Sequence, residues 1–317
     1  MRIFVTGAIG FVGGWLTREL AASGHEVVAA PGPDELDITD REGLARWLSS
    51  SGRPDGVVHL AGMSFAPDAH DDPSEAFRVN VAGTIALFEA LRSLGIRPGV
   101  LVSGSADVYG MPRPEDLPLT EQAPLAPLLP YAISKAAQEA VAVEAGVRFG
   151  FPVVVTRSFN HAGPGQRPVF VVAAMARRVL AAKRGDAAAI PTGNVDVQRD
   201  LSDVRDVVRA YRLLLEGAVA GSLGTPPIVV NVASGRVVTI RWVIEQLCAL
   251  AGVQPALALD PSLVRVNDPV KRAGDSSLLT SLTGWRPTIP LEQTLADVLA
   301  DAGTTPSVYG DDARTPE

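Results

Sequence analysis

The first sixteen residues constrain the fold of this chain more than any other segment. A short apolar run, Ile3–Val5, leads directly into Gly7, Gly10 and Gly13, and a helical pattern follows. This order predicts a β-strand, a tight turn and a helix N-terminus, whose free backbone N–H groups and positive dipole end can bind a pyrophosphate. The GxxGxxG spacing differs from the standard GxGxxG dinucleotide fingerprint, so the glycines alone also fit a glycine-rich turn in any α/β protein.

Strand-like and helix-like segments alternate through the first half of the chain. The predicted strands are Ile3–Thr6, Glu26–Ala30, Gly56–Leu60, Gly99–Ser103 and Pro152–Arg157. The predicted helices are Phe11–Ser23, Asp40–Ser50, Pro73–Leu94 and Tyr131–Gly150. The alternation predicts an α/β fold with a Rossmann-like, doubly wound parallel sheet, in which ligands bind beyond the C-terminal ends of the strands.

The pattern is less regular after Asn160. The predicted elements there are helices at Phe170–Ala182, Asp206–Leu215, Ile240–Leu250 and Leu291–Leu299 and a strand at Val229–Asn231. We expect a dinucleotide-binding Rossmann domain from residues 1–160 plus 204–231. A smaller, discontinuous C-terminal substrate domain is expected from residues 161–203 plus 232–302, followed by a flexible tail at 303–317.

Charge and cysteine content exclude several classes of function. A net charge of −7 argues against a nucleic-acid partner, and the densest basic pair, Arg177-Arg178, is most simply a solvated helix face. The single cysteine, Cys248, excludes an intrachain disulfide and zinc sites built on paired cysteines, so we expect no metal. We expect no membrane span, because no apolar run approaches the roughly 18–20 residues required. The N-terminus has no signal-peptide pattern, so a cytoplasmic location is expected.

Tyr131 and Lys135 stand four residues apart on a predicted helix and therefore share one face. A free tyrosine has a pKa near 10, and a neighbouring ammonium group is expected to lower that pKa. The pair could then exchange a proton with a substrate oxygen while a hydride moves at the attached carbon. The same spacing also occurs on ordinary exposed helix faces.

Ser105 follows a predicted strand within the segment Ser103–Gly110. Its hydroxyl could donate a hydrogen bond to the same substrate oxygen as Tyr131. Alternatively, it could simply bind the backbone of its own strand end.

Taken together, these segments resemble the extended short-chain dehydrogenases/reductases that act on nucleotide sugars, the NAD-dependent epimerase/dehydratase family. The resemblance covers about residues 1–302. The motifs that carry it are Thr6–Gly13, Asp37-Ile38, His59–Gly62 (HLAG), Asn80–Thr84 (NVAGT), Ser103–Gly110 (SGSADVYG) and Tyr131–Lys135 (YAISK). It implies an NAD(P)-dependent enzyme with Ser105, Tyr131 and Lys135 as catalytic residues and Asp107 as a further candidate.

The resemblance also implies a set of cofactor contacts. The implied residues are Gly7, Ile9, Gly10, Phe11, Val12 and Gly13 at the pyrophosphate, Asp37 and Ile38 at the adenine, and Leu60, Ala61, Gly62, Asn80, Ser103, Tyr131, Lys135 and Phe159 elsewhere along the dinucleotide. The second strand ends at Val27–Pro31 without an acid for the ribose 2′-OH or an arginine for a 2′-phosphate. The choice between NAD and NADP is therefore open.

Within the family, Ser158–Gln166 (SFNHAGPGQ) and Arg199–Tyr211 resemble the GDP-sugar branch, and most of all its GDP-4-keto-6-deoxy-D-mannose reductases. The implied substrate contacts are Ser64, Asn160, Val169, Arg199, Asn231, Arg265 and Asp268. An arginine fork suits phosphate recognition, although an ion pair between Arg199 and Asp200 is a competing role. The segment Val266–Val270 departs from the reductase pattern, so GDP as the nucleotide is open.

The expected reaction is NAD(P)H-dependent reduction of the C4 ketone of a nucleotide-linked 4-keto-6-deoxy hexose, for example to GDP-D-rhamnose. Dehydratases of the family carry an acid, usually glutamate, where this chain has the shorter Asp107, and this difference disfavours dehydration. The alternatives are a 4-epimerase or 4,6-dehydratase that retains its NAD(P), and a non-catalytic dinucleotide sensor. The resemblance further implies a homodimer that pairs through Pro73–Leu94 and Tyr131–Gly150.

Overall fold

The structure is a computed structural model that describes residues 1–264 and 267–304. Its strands are β1 (Arg2–Thr6), β2 (Glu26–Ala29), β3 (Gly56–His59), β4 (Gly99–Ser103), β5 (Val153–Ser158), β6 (Asn160–Ala162), β7 (Ala189–Thr192), β8 (Gln198–Asp203), β9 (Ile228–Val232), β10 (Val237–Thr239), β11 (Ala256–Leu259) and β12 (Lys271–Arg272). Its α-helices are α1 (Phe11–Ala22), α2 (Arg41–Ser50), α3 (Ala66–Asp71), α4 (Pro73–Phe77), α5 (Gly83–Ser93), α6 (Pro130–Phe149), α7 (Val171–Arg184), α8 (Val204–Ala220), α9 (Ile240–Ala251), α10 (Ser277–Thr283) and α11 (Leu291–Thr304).

A six-stranded parallel sheet with the strand order β2-β1-β3-β4-β5-β9 confirms the predicted α/β fold class. Its four inner strands, β1, β3, β4 and β5, are buried on both faces, as parallel strands covered by helices require, whereas the edge strand β2 is partly exposed. One hydrophobic core lies between the sheet and helices α1 and α8, and includes Leu16 and Leu214. A second core, on the other face, packs α2, α5 and α6 against the sheet through residues such as Leu44 and Leu87.

The predicted single helix Pro73–Leu94 is wrong in one respect, because a π-helical turn at Arg78–Ala82 separates α4 from α5. The Thr84 hydroxyl donates to the Asn80 carbonyl at 2.7 Å, and the Asn80 side chain is fully buried. Turns of this kind often occur at functional sites. Here the turn directs Asn80 toward α6 and the loop after β3.

The second half of the chain contains strands that sequence patterns did not predict. Strand β8 pairs with β6, β10 and β12, and β7 pairs with β11. A third hydrophobic core lies here, built from Ala162–Leu201 and Ile240–Val298, with Val172 and Leu247 among its members. These strands are short, and β8 reads QRDLSD, so it shows no apolar alternation.

Two expectations fall partly or wholly outside the described residues. Arg265 lies outside them, as do residues 305–317 of the expected tail. Residues 303 and 304, also assigned to that tail, form the end of α11. In the described part of the chain, no helix combines the length and the apolarity that crossing a bilayer requires.

Candidate active site

The glycine turn after β1 packs tightly against the loop that follows β3. Gly7 adopts φ +69°, and a methyl group on it would lie 2.7 Å from the Ala61 nitrogen. A methyl group on Gly13 would overlap the Gly7 carbonyl oxygen. Helix α1 begins after Gly10 without a side-chain cap, so its first N–H groups can bind an anion. The turn therefore fits the pyrophosphate of a dinucleotide.

The other residues expected at the cofactor differ in exposure. Ile9 and Gly62 are exposed, and Phe11, Val12, Leu60 and Ala61 are half-buried at the edge of the sheet. The Asp37 carboxylate accepts hydrogen bonds from the Thr39 backbone at 2.9 Å and from Arg78 at 2.8 Å. These contacts, led by the Thr39 backbone bond, lower the pKa of Asp37. Ile38 packs in the core beneath α5, next to Gly83.

The three predicted catalytic residues lie together at the ends of β4 and α6. The Ser105 side chain makes a hydrogen bond with Tyr131 and also accepts one from the Asp107 backbone at 3.2 Å. Tyr131 is the second residue of α6, and Lys135 follows one turn later. The Lys135 ammonium donates to the Ser103 carbonyl and to Gln138 Oε1, both at 2.7 Å. Ser103 thus contributes its backbone oxygen to the site.

The pKa shifts at these residues differ from the expected ones. Burial, followed by the negative charge of Asp107, raises the pKa of Tyr131, and the hydrogen bond with Ser105 opposes the rise. Burial lowers the pKa of Lys135 to about 8. The pKa of Tyr131 is therefore raised in the chain itself, against the expectation that it is lowered, because removal from water disfavours the charged phenolate.

Asp107 has a partner that sequence reasoning missed. Arg272 of β12 forms an ion pair with the Asp107 carboxylate and also donates to the Gly110 carbonyl at 3.4 Å. The two paired residues are separated by 165 positions, and only the pairing of β12 with β8 brings them together. The carboxylate at the position of the dehydratase acid is thus engaged by a guanidinium group.

Three residues expected to contact ligands face the protein interior instead. The buried Asn80 amide accepts from the Met63 backbone at 2.8 Å and donates to Ser134 at 2.9 Å, which ties the loop after β3 to α6. The buried Asn231 amide accepts from the Tyr109 hydroxyl and donates to the Leu119 carbonyl. Phe159 is 2% exposed and packs against Tyr109. Each of these side chains therefore helps to fix the loops and helices around the site.

A cavity of about 610 Å³ lies between the segment after β3, which contributes Phe65 and Pro67, and the second half of the chain; Ser105, Tyr131 and Lys135 are not among the residues that line it. Its lining includes the predicted substrate residues Asn160, Val169, Arg199 and Asp268. The predicted Ser64 is exposed in the loop before α3 and does not line the cavity. The lining adds Arg178, His161 and Asn194, which the sequence did not identify as site residues. Arg178 was expected to be a solvated helix position.

Two arginines line the cavity, together with Asp68, Asp71 and Asp268. Arg199, 8% exposed, donates to Asp268 at 2.5 Å and to the Pro269 carbonyl at 2.8 Å. Arg178 donates to the Pro191 carbonyl at 2.7 Å. Burial lowers the pKa of both arginines, yet both remain charged at neutral pH. The proposed pair of Arg199 with Asp200 is wrong, because the Asp200 carboxylate accepts from the backbone of Ser234 and Gly235.

The sequence profile of the NAD dependent epimerase/dehydratase family matches residues 3–233. This chain belongs to that family. Membership confirms the predicted family, the enzyme class and the use of a nicotinamide dinucleotide, and the glycine turn supplies a fitting site for its pyrophosphate.

Several relatives match almost the whole chain. It is 38% identical over 301 residues to the GDP-6-deoxy-D-mannose reductase of Pseudomonas aeruginosa, covering 95% of this chain and 96% of the relative. It is 28% identical to the UDP-glucose 4-epimerase of Lacticaseibacillus casei, covering 90% and 92%. The structure of RMD from Pseudomonas aeruginosa complexed with NADPH superposes with a TM-score of 0.86 at 37% identity, covering 95% of this chain and 98% of that one. The Thermus thermophilus UDP-glucose 4-epimerase complex with NAD gives a TM-score of 0.81 at 28% identity, covering 96% and 99%.

Proposed function

We propose that this protein reduces the C4 ketone of a nucleotide-linked 4-keto-6-deoxy hexose with NAD(P)H, converting GDP-4-keto-6-deoxy-D-mannose to GDP-D-rhamnose or a similar product. The observation that carries the proposal is the division of roles in the catalytic loop. Tyr131 is available as a proton donor beside Ser105, whereas Arg272 engages the Asp107 carboxylate that a dehydratase would use as a base. The similarity to a GDP-6-deoxy-D-mannose reductase supports the same reaction.

The side chains account for the proton transfer. The bound reduced nicotinamide supplies the hydride. Ser105 orients the substrate carbonyl by a hydrogen bond, and Tyr131 gives its phenolic proton to the C4 oxygen as negative charge develops there. Because the pKa of Tyr131 is raised, the phenol carries this proton at neutral pH. Lys135 remains beside it, held by Ser103 and Gln138.

The arginines that line the cavity are proposed to hold the diphosphate of the nucleotide sugar. Arginine binds phosphate oxygens through parallel N–H donors. The Arg199 guanidinium is engaged by Asp268, so we assign the principal phosphate contact to Arg178 and the ordering of the cavity wall to Arg199. Asn160 and Val169 line the same cavity and are proposed to contact the sugar.

An absorbance assay at 340 nm tests the reaction. GDP-4-keto-6-deoxy-D-mannose is generated in place, the protein is added, and NADH and NADPH are followed separately. Stoichiometric oxidation of either cofactor establishes the reductase, and the faster one decides the preference. No oxidation, with dinucleotide still bound to the purified protein, would indicate instead a 4-epimerase or 4,6-dehydratase that recycles its cofactor.

We also propose a homodimer formed through α5 and α6. Both helices expose large apolar side chains, namely Ile85 on α5 and Ile133 and Val147 on α6. Light scattering should give twice the 33.2 kDa mass of one chain, and the double variant Ile85→Asp/Val147→Asp should give a single chain. Leu259→Asp, at an exposed site on β11, is the control that should leave the mass unchanged.

The domain boundaries expected from the sequence, 1–160 plus 204–231 and 161–203 plus 232–302, stay part of this proposal. The separate hydrophobic core of the second half supports them, although Leu279 and Trp285 pack in the core between the sheet and α1 and α8, and limited proteolysis tests them. A cytoplasmic location also stays proposed and is tested by cell fractionation.

A further inference from the structure

A continuous chain of buried hydrogen bonds joins Lys135 to the first strand of the sheet. From Lys135 it runs to Gln138 at 2.7 Å and on to Thr84 at 3.0 Å. It continues from Thr84 to His59 at 3.0 Å and from His59 to Thr6 at 2.8 Å. All five side chains are at least nine-tenths buried. Apart from Lys135, none of the residues in this hydrogen-bond network has a role in the proposed proton transfer.

The direction of each hydrogen bond is fixed by the Thr84 hydroxyl. Its single hydrogen is donated to the Asn80 carbonyl at 2.7 Å, so its oxygen must accept from both Gln138 Nε2 and His59 Nε2. Burial, assisted by the charge of Lys135, lowers the pKa of His59 to about 3, which keeps the ring neutral at pH 7. The protonated nitrogen of His59 is therefore Nε2.

The direction of the hydrogen bonds at the Thr6 end of the network follows from the same argument. A neutral ring with its proton on Nε2 has an acceptor at Nδ1, so the Thr6 hydroxyl donates to His59. The Thr6 oxygen in turn accepts from the Ala61 backbone N–H at 3.3 Å. The hydrogen-bond network thus ends at the backbone of Ala61, in the loop that follows β3 and packs on the glycine turn. Each N–H or O–H donor along it has one acceptor.

This order determines which atom of Gln138 faces Lys135. The amide nitrogen is committed to Thr84, so the amide oxygen points at the ammonium. An ammonium group has three N–H donors, and within the described residues two of them go to Gln138 and to the Ser103 carbonyl. The third is left for a ligand oxygen. A methyl group built on Gly62 would lie 3.9 Å from Lys135 Nζ, which places the ammonium beside the predicted cofactor loop.

We propose that Gln138 is a positioning residue whose amide oxygen, oriented through Thr84 and His59, holds the Lys135 ammonium so that one N–H faces the bound ligands. The consequence for turnover rests on the proposed reductase function. The positioning itself is a property of the chain and can be measured without substrate.

The ionisable groups around Lys135 are neutral or already paired, so position 138 is where a substitution can change the charge next to the ammonium. His59 from β3 is neutral, and Tyr131 lies one turn earlier on α6. Glu139, the next residue after Gln138, forms a buried ion pair with Arg157 of β5 at 2.6 Å. Asp107, from the turn after β4, is paired with Arg272. A charge placed at position 138 would therefore act directly on Lys135.

The chain is well suited to a direct measurement because it contains three lysines, Lys135, Lys183 and Lys271. Protein labelled with ¹³C at lysine Cε gives three signals that titrate with protonation of the amine. Lys183→Arg and Lys271→Arg assign them. We expect Gln138→Met, which removes the acceptor, to lower the Lys135 midpoint by about 1 pH unit. Gln138→Glu, which adds an anion, should raise it by a similar amount.

Binding and kinetics provide the second readout. Gln138→Met should weaken NADPH binding, measured by fluorescence titration, about tenfold. The basic limb of kcat/KM against pH should move with the Lys135 midpoint, in opposite directions for the two variants. Thr84→Val should reproduce part of the Gln138→Met effect by freeing the amide to turn, and Thr84→Ser should restore the wild-type values.

Glu139→Gln is the matched control, since it breaks a buried polar pair one residue away without touching Lys135. It should lower the melting temperature and leave the Lys135 midpoint unchanged. A merely structural network would lower the melting temperature of the Gln138 variants while their Lys135 midpoints stayed at the wild-type value, and that result overturns the proposal. If Gln138→Met does not fold, Gln138→Glu and Thr84→Val decide the question by the same titration. Failure of the 340 nm assay with shifted midpoints would instead reject only the proposed reaction.

Discussion

The cofactor edge of the parallel sheet and the substrate cavity beside it are built in different ways. At the cofactor edge, backbone atoms pack closely against one another, as Gly7 does on Ala61 and Gly13 on Gly7. In the cavity, side chains from distant segments converge, for example Arg178 from α7 and Asp268 from the loop before β12. The first region depends on the absence of side chains, and the second depends on their charge. Substitutions in the two regions should therefore fail in different ways.

The largest expected effect is that of removing the Tyr131 hydroxyl. Tyr131→Phe removes the proton donor while keeping the ring, and should lower kcat about 10²–10⁴-fold with little change in the Kd of NADPH. Stopped-flow kinetics and fluorescence titration measure the two quantities. Tyr109→Phe is the control: it removes a buried hydroxyl bonded to Asn231 and Arg157 and should reduce stability rather than kcat. Turnover of Tyr131→Phe near the wild-type rate would contradict the assigned acid role.

Adjacent glycines test the cofactor edge. A methyl group on Gly13 would overlap the Gly7 carbonyl and approach Ala8 Cα to 2.7 Å, whereas a methyl group on Gly14 meets no atom within 4 Å. Gly13→Ala should displace the turn, weaken NADPH binding about 100-fold and destabilise the fold by about 1–3 kcal/mol. Gly14→Ala, inside α1, should stabilise it by about 0.5–1 kcal/mol without affecting binding. Equal NADPH affinity in the two variants would show that close packing of this turn does not shape the cofactor site.

The same difference explains what could be predicted from the sequence. The glycine turn, the parallel strands and the positions of Ser105, Tyr131 and Lys135 are recorded in short segments with their own spacing, and the structure places them at one sheet edge. Strand β8 was not predicted because apolar and polar residues do not alternate along it. Its strand conformation is evident only from its pairing with β6, β10 and β12. The cavity that depends on β8 was accordingly predicted less completely.

Individual residues follow this division. Gln138 was detectable, because it lies three residues after Lys135 and so shares its face of α6. Arg272 was not detectable, since no local pattern connects it to Asp107. Asn80 and Asn231 were assigned to ligands from motifs, but a motif does not reveal which way a side chain points. The structure directs both amides into buried backbone partners.

Adjacent arginines on α7 test the cavity. Arg178 lines it, whereas Arg177 does not. Arg178→Met should raise the KM for the nucleotide sugar about 10- to 100-fold and leave kcat within about threefold, because the lost charge contacts a part of the substrate that does not react. Arg177→Met should leave both constants unchanged. A fall in kcat at constant KM would place Arg178 in the reaction itself and would require a different substrate orientation.

The smallest expected effect compares one buried histidine from each region. Burial lowers the pKa of His59, at the cofactor edge, from 6.5 to about 3, and it also lowers the pKa of His161, in the cavity wall. Between pH 3 and 6.5 the unfolded chain therefore binds more protons at His59 than the folded chain does, and His161 contributes with the same sign below pH 6.5. The free energy of unfolding should fall as the pH is lowered through this range, with a contribution from His59 approaching about 1.4 kcal/mol per pH unit.

His161 should contribute less, because its Nδ1–H donates to the Phe159 carbonyl at 3.1 Å and the ring lies near the charge of Asp203, and both of these raise its pKa against the effect of burial. Urea unfolding at a series of pH values measures the slope for wild type, His59→Gln and His161→Gln. The slope should decrease clearly in the first variant and slightly in the second. If His161→Gln changes this slope more than His59→Gln does, the cavity wall is less accessible to water than the cofactor edge. That result would contradict the description of the first region as closely packed and of the second as hydrated.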